Sequence, residues 1–127
     1  MRTRPSAATL QVVTERDQGR CASCSLLIVG ERGRDWSLHH RRPAGMGGDR
    51  SPESHGPANL VLLHGSGVTG CHGYVESNRS EAYELGLLVH RGHDPRTTPI
   101  EHAVHGLVLL TEDGDWKPVE APKGDAA

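Results

Sequence analysis

The chain has 127 residues, 35 % of them hydrophobic and 3 % aromatic, with no Phe and a formal net charge of −2. A mass of 13.7 kDa suits one domain, and so lean an apolar stock calls for a staple such as a metal or a partner subunit. No apolar run reaches the roughly 20 residues of a bilayer span, and the basic start Met1-Arg2-Thr3-Arg4-Pro5 lacks the apolar stretch of a secretory signal, so a soluble, cytoplasmic protein is expected.

In chain order, residues 9–18 predict a short helix with Leu10 and Val13 on one face and Gly19 as its stop. Cys21-Ala22-Ser23-Cys24 follows as a knuckle, then Leu26-Leu27-Ile28-Val29 as a strand ending at Gly30. Asp35-Trp36-Ser37-Leu38-His39-His40 alternates as a second strand, which Pro43 stops. Gly45, Gly47, Gly48, Ser51, Pro52, Gly56 and Pro57 then mark a long loop. Asn59 to Leu63 predicts the next strand, the glycines of residues 64–70 an irregular stretch, and Cys71 to about Leu85 a helix ended by Gly86. Leu87-Leu88-Val89 predicts a short strand, and residues 106–119 a hairpin turning at Asp113-Gly114. The resulting division is an N-terminal helical arm (1–20), a core (21–86), a C-terminal strand and hairpin extension (87–120) and a frayed tail (121–127).

Charge is distributed unevenly. Residues 1–63 carry nine Arg against six acids, and residues 64–127 five basic against ten acidic residues. A basic half joined to an acidic half suits a phosphate-facing side and a solvated side, and Arg is the better fork for phosphate oxygens. A GC-rich genome would produce the same Arg bias.

Two clusters carry chemistry. Three Cys cannot all pair, and the C-x2-C of Cys21 and Cys24 points to metal or redox chemistry. A thiol redox role fits poorly outside a thioredoxin-like βαβ context. A tetrahedral Zn2+ would take Cys21, Cys24, Cys71 and a His, either His64 or its competitor His55. The second cluster is His39-His40, Asn59, His72 and Glu76. On a helix His72 and Glu76 share one face, while Cys71 lies about 100° around from His72, so one helix start can serve two different ions. Adjacent His39 and His40 point to opposite faces of a strand and serve one site only where the strand ends or bends.

Here Trp36-Ser37-Leu38-His39-His40-Arg41-Arg42-Pro43, Gly45-Met46-Gly47-Gly48, Pro57-Ala58-Asn59-Leu60 and Gly70-Cys71-His72-Gly73, with the C-x2-C upstream, resemble the small HNH endonucleases of actinobacteria and their phages. The resemblance spans Cys21 to Glu84, about half the chain. It implies an α+β fold: a small ββα-metal domain stapled by one structural Zn2+ on Cys21, Cys24, His64 and Cys71, with a C-terminal β-hairpin extension. It also implies a divalent-metal-dependent enzyme that hydrolyses DNA phosphodiesters to 5′-phosphate and 3′-hydroxyl ends. His40 would be the general base and Asn59 the brace of the loop. His39, His72 and, less directly, Glu76 would hold one catalytic ion (Mg2+, Mn2+, Ni2+ or Zn2+), and Arg41 and Arg42 would contact DNA phosphates. Two departures stand out. Relatives often close the zinc site with a second Cys pair, where this chain has His64 and Cys71, and His39 replaces a common carboxylate, which shifts preference toward softer ions. For a phage gene, the resemblance implies genome processing beside the packaging terminase. The alternative is a catalytically degenerate, zinc-stapled module for nucleic-acid binding or packaging assembly.

Overall fold

A computed structural model describes residues 5–43 and 52–119. Helix α1 (Ala7–Arg16) starts where the Ser6 hydroxyl accepts the Thr9 N–H at 3.1 Å. That cap, rather than the apolar repeat, sets the start two residues ahead of the expected one. Gln18 and Gly19, both at positive φ, turn the chain into the knuckle. There Cys21 N–H bonds the Leu26 carbonyl at 2.9 Å and Ile28 N–H bonds that of Gly19 at 2.8 Å. The strand expected at 26–29 does not form: one bridge joins Arg20 to Leu27, and Leu26, Leu27 and Val29 are 65 %, 56 % and 71 % exposed. Closing the knuckle uses the local backbone groups and leaves this apolar run no sheet to join.

Strands β1 (Trp36–His40) and β2 (Leu60–His64) pair antiparallel, with His39 opposite Val61 and His40 opposite Leu60. Asn59 lies just outside β2, closing a 3-10 turn (Pro57–Asn59) whose start Pro57 preorganises. β2 is buried on both faces: Leu60 and Leu62 pack with Val13 and Leu38, Val61 and Leu63 with Ala22, Val75 and Ile100.

The single helix expected from Cys71 is two, α2 (Gly70–Ser77) and α3 (Arg79–Leu85), separated at Asn78. Asn78 leaves helical geometry at φ −127°, ψ 60°, and its amide donates to the Tyr74 carbonyl at 3.0 Å beside its own backbone N–H at 2.9 Å. Gly86 ends α3 at φ 77°, and a Cβ there would overlap the Pro99 carbonyl. Leu87 to Val89 is buried but forms no strand; Val89 N–H bonds the Arg41 carbonyl at 2.7 Å.

A second antiparallel sheet has the order β3 (Ile100–His102), β4 (Gly106–Leu110), β5 (Trp116–Pro118). β4 and β5 form the predicted hairpin; β3 is too short to announce itself. Leu87, Leu88, Ile100, Val108 and Leu110 share one buried cluster with Cys21, Ala22 and Val61, so the C-terminal segment is built into the core. The glycine loop expected around Gly45, Gly47, Gly48 and Ser51, residues 1–4 of the arm, and the tail at 121–127 lie outside the described residues. No described helix is long and apolar enough to cross a membrane.

A buried ionic latch joins the first helix to the second sheet. Asp17 accepts from Arg16 Nε at 2.8 Å, His102 Nε2 at 2.9 Å and Leu62 N–H at 3.1 Å. Burial pushes the Asp17 carboxyl upward, but His102 and Arg16 outweigh it, and its pKa falls below the ordinary 3.8. A carboxylate depressed in this way contributes stability that is full above its unfolded pKa and is lost as the pH drops through its folded one. Asp17→Asn is therefore expected to cost roughly 3–5 kcal/mol at neutral pH, the range for breaking a buried pair. It should also flatten the loss of stability below about pH 4. Urea unfolding across that pH range measures both.

Candidate functional site

Cys21, Cys24, His64 and Cys71 each place one ligand atom within 4.8 Å of the others. The knuckle supplies the first two, the end of β2 supplies His64, and the first turn of α2 supplies Cys71. Gly65, at φ 87°, makes the reversal possible, since a Cβ there would strike the Thr69 carbonyl. His64 Nε2 lies 3.0 Å from the Leu27 carbonyl, which can only accept, so Nε2 carries the hydrogen. Its Nδ1 lone pair faces the thiols, 3.1 Å from Cys24 Sγ.

All three Cys are free. Burial, the nearby Cys21 charge and contacts with Cys24 and Cys21 push the Cys71 thiol up to about 12. Three thiols this close resist ionising together without a counter-charge, which a divalent ion provides. The donor set fits Zn2+. His55, the competing fourth ligand, is not in this group.

His39, His72 and Glu76 form a second group, again within 4.8 Å. His39, opposite Val61, lies on the β1 face turned toward α2, and its ring meets His72 at 5.0 Å between centroids. His39 Nε2 donates to the Leu87 carbonyl at 2.8 Å, the outer bond that typically fixes a ligating imidazole. Burial drives its pKa down to about 3, so the ring is neutral and Nδ1 keeps its lone pair. Burial also lowers the pKa of His72, against the pull of Glu76. His72 Nε2 stands 3.7 Å from Glu76 Oε2. Among the described residues, His72 Nδ1 is a buried side-chain nitrogen without a hydrogen-bond partner. Leaving such an atom unmatched costs about 1–3 kcal/mol. Two imidazoles and a carboxylate on adjacent elements thus suit a divalent ion with positions left for water or substrate.

His40 stands beside this group in sequence but not within it. Its Nε2 lies 2.9 Å from His55 Nδ1, with the rings edge to face at 5.1 Å. Sequence reasoning did not place His55 here. The only available signal was its proximity to Asn59, and Asn59 does organise this region. Fully buried, Asn59 accepts Arg42 N–H at 2.7 Å and donates to the carbonyls of Ser54 at 2.8 Å and Arg42 at 3.3 Å. It thereby ties together the two ends of the loop that separates His40 from His55.

The phosphate-facing role expected of Arg41 does not hold. Arg41 is fully buried, and its guanidinium donates to the carbonyls of Gly86, Ala58, Pro95 and Thr98 at 2.8–3.1 Å. Burial, then the charge of Arg16, lowers its pKa to about 9, which leaves it charged at neutral pH. Arg42 is only 8 % exposed, with Nη1 on the His93 carbonyl at 2.8 Å, and presents no open fork to a phosphate. Arg16 donates to the carbonyls of Pro57 and Leu60 at 2.7 and 2.6 Å. These buried guanidiniums donate to backbone carbonyls on both sides of the Pro57–Asn59 turn, and Arg16 and Arg41 bracket Asn59 between them.

A third group, Asp17, His102 and His105, also lies within 4.8 Å. Its atoms are engaged inside the fold: His102 Nδ1 accepts Val104 N–H at 3.1 Å, and His105 Nε2 donates to the Arg16 carbonyl at 2.7 Å. It serves as the latch described above.

Compared with family models, curated proteins and solved structures, the chain finds no match.

Proposed function

We propose that this protein is a divalent-metal-dependent endonuclease of the HNH type, hydrolysing DNA phosphodiester bonds. The observation that carries the reading is the meeting of His39, His72 and Glu76 across β1 and α2, with His40 at the last position of β1, where the strand ends. The order β1, β2, α2 around that meeting supports a ββα-metal arrangement. A Zn2+ on Cys21, Cys24, His64 and Cys71 would staple it.

When bound between His39, His72 and Glu76, a divalent ion supplies positive charge against the phosphate oxygens as negative charge builds in the transition state. The chain's own part is orientation and proton transfer. The Leu87 carbonyl fixes the His39 ring and the helix holds His72 and Glu76 one turn apart, so the pocket is set before substrate arrives. His40 takes the proton of the attacking water, and its bond to His55 fixes the ring while it does so. Asn59 holds both loop ends and thus the spacing of this pair.

Supercoiled plasmid incubated with the protein and Mg2+, Mn2+, Ni2+ or Zn2+ tests the reading. Nicking that depends on the added ion is expected, and His72→Ala should lose more than the roughly 10- to 100-fold that even an outer-shell change costs a metal site. A zinc-loaded chain that nicks nothing with any of these ions would reduce the protein to a zinc-stapled binding module.

A further inference from the structure

With Arg41 and Arg42 buried, the surface that meets a DNA strand has to lie elsewhere. One continuous run of contacts leads from the His39–His72–Glu76 group to solvent. Arg79 Nη1 donates to Glu76 Oε1 at 2.6 Å. The same guanidinium lies 5.7 Å from the Tyr83 ring centroid, with Nη2 3.3 Å from the tyrosine hydroxyl. Tyr83 stacks on His90, 3.7 Å between centroids and 7° from parallel, and His90 meets His93 at 5.8 Å. The His93 carbonyl holds Arg42, two residues beyond His40. The run is therefore moored to the candidate site at both ends.

His90, Arg91 and His93 are exposed. The surroundings are not strongly basic: Glu84 is exposed nearby, Glu81 holds the Tyr74 hydroxyl, and Asp94 holds Arg96. Charge alone does not recommend this surface to a phosphate backbone. Flat rings backed by a guanidinium do recommend it to a nucleobase, because every base presents a π-face and stacking is sequence-tolerant.

We propose that the Tyr83–His90 stack is a ledge for one base of the strand being cut, with Arg91 at the neighbouring phosphate. The inference rests on the nuclease reading. It selects single-stranded or locally unpaired DNA, since bases inside a duplex have no free face.

Fluorescence anisotropy with a labelled single-stranded oligonucleotide and its duplex, in a His40→Ala background that blocks cutting, tests it. His90→Ala is expected to weaken single-strand binding roughly tenfold and duplex binding less. His90→Trp should restore the single-strand affinity. Arg91→Ala should lower the salt slope by about 1, whereas His90→Ala leaves the slope alone. Unchanged single-strand affinity in His90→Ala, or a parent chain that binds neither oligonucleotide, overturns the ledge. Plasmid nicking by otherwise wild-type protein decides the nuclease reading separately. Nicking with an indifferent His90 sinks only the ledge, and a His90-dependent grip without nicking sinks only the nuclease.

Discussion

His40→Ala is expected to reduce metal-dependent plasmid nicking by roughly 10²- to 10⁴-fold, the range for losing a positioned proton acceptor. His40 ends β1, is only partly buried, and lies outside both candidate ion sites. Its loss removes the hydrogen bond and the ring contact with His55 and leaves the backbone pairing with Leu60 in place. Thermal unfolding and the zinc content of the variant should therefore match wild type, so a fall in nicking reads as lost chemistry. Nicking equal to wild type by a clean preparation would remove His40 from the reaction.

Loss of the zinc cluster should have the larger effect on the fold. Cys24→Ser, or a strong chelator, is expected to bring bound zinc from about one ion per chain to near zero and to unfold the protein cooperatively. Structural zinc contributes about 10–16 kcal/mol in small metal-folded domains, whereas whole domains are stable by about 5–15 kcal/mol. Here the ligands join three separate pieces of chain: the knuckle, the end of β2 and the start of α2. A chain with 3 % aromatic residues has little with which to replace that tie. Elemental analysis and circular dichroism on the same samples measure both effects; a Cys24→Ser chain that folds normally without zinc would show the cluster to be dispensable.

The parts of this molecule that could be read from sequence were those with short-range signals. The C-x2-C knuckle, the i,i+4 pair of His72 and Glu76 and the Asp113-Gly114 hairpin are each local, and each is found in the expected arrangement. The apolar alternation placed β1 and β2 to within a residue or two. What escaped depended on distant partners. Arg41 resembles a phosphate contact in sequence because it directly follows His40, yet the carbonyls that capture it come from residues 58, 86, 95 and 98. His55 offered no periodicity, and its meeting with His40 depends on Asn59 drawing Ser54 and Arg42 together. Leu26 to Val29 had strand composition but lacked a sheet edge to join. The separation of α2 from α3 falls at Asn78, where a single residue leaves helical geometry.

Cys71 and His72 are consecutive residues in the first turn of α2, one belonging to each ion group. Whatever seats Cys71 also aims His72, so the two groups share one helical turn and a change at one reaches the other. On the nuclease reading, a chain stripped of its zinc would lose the aim of His72 along with the staple, and cutting would fail for want of geometry rather than for want of the second ion.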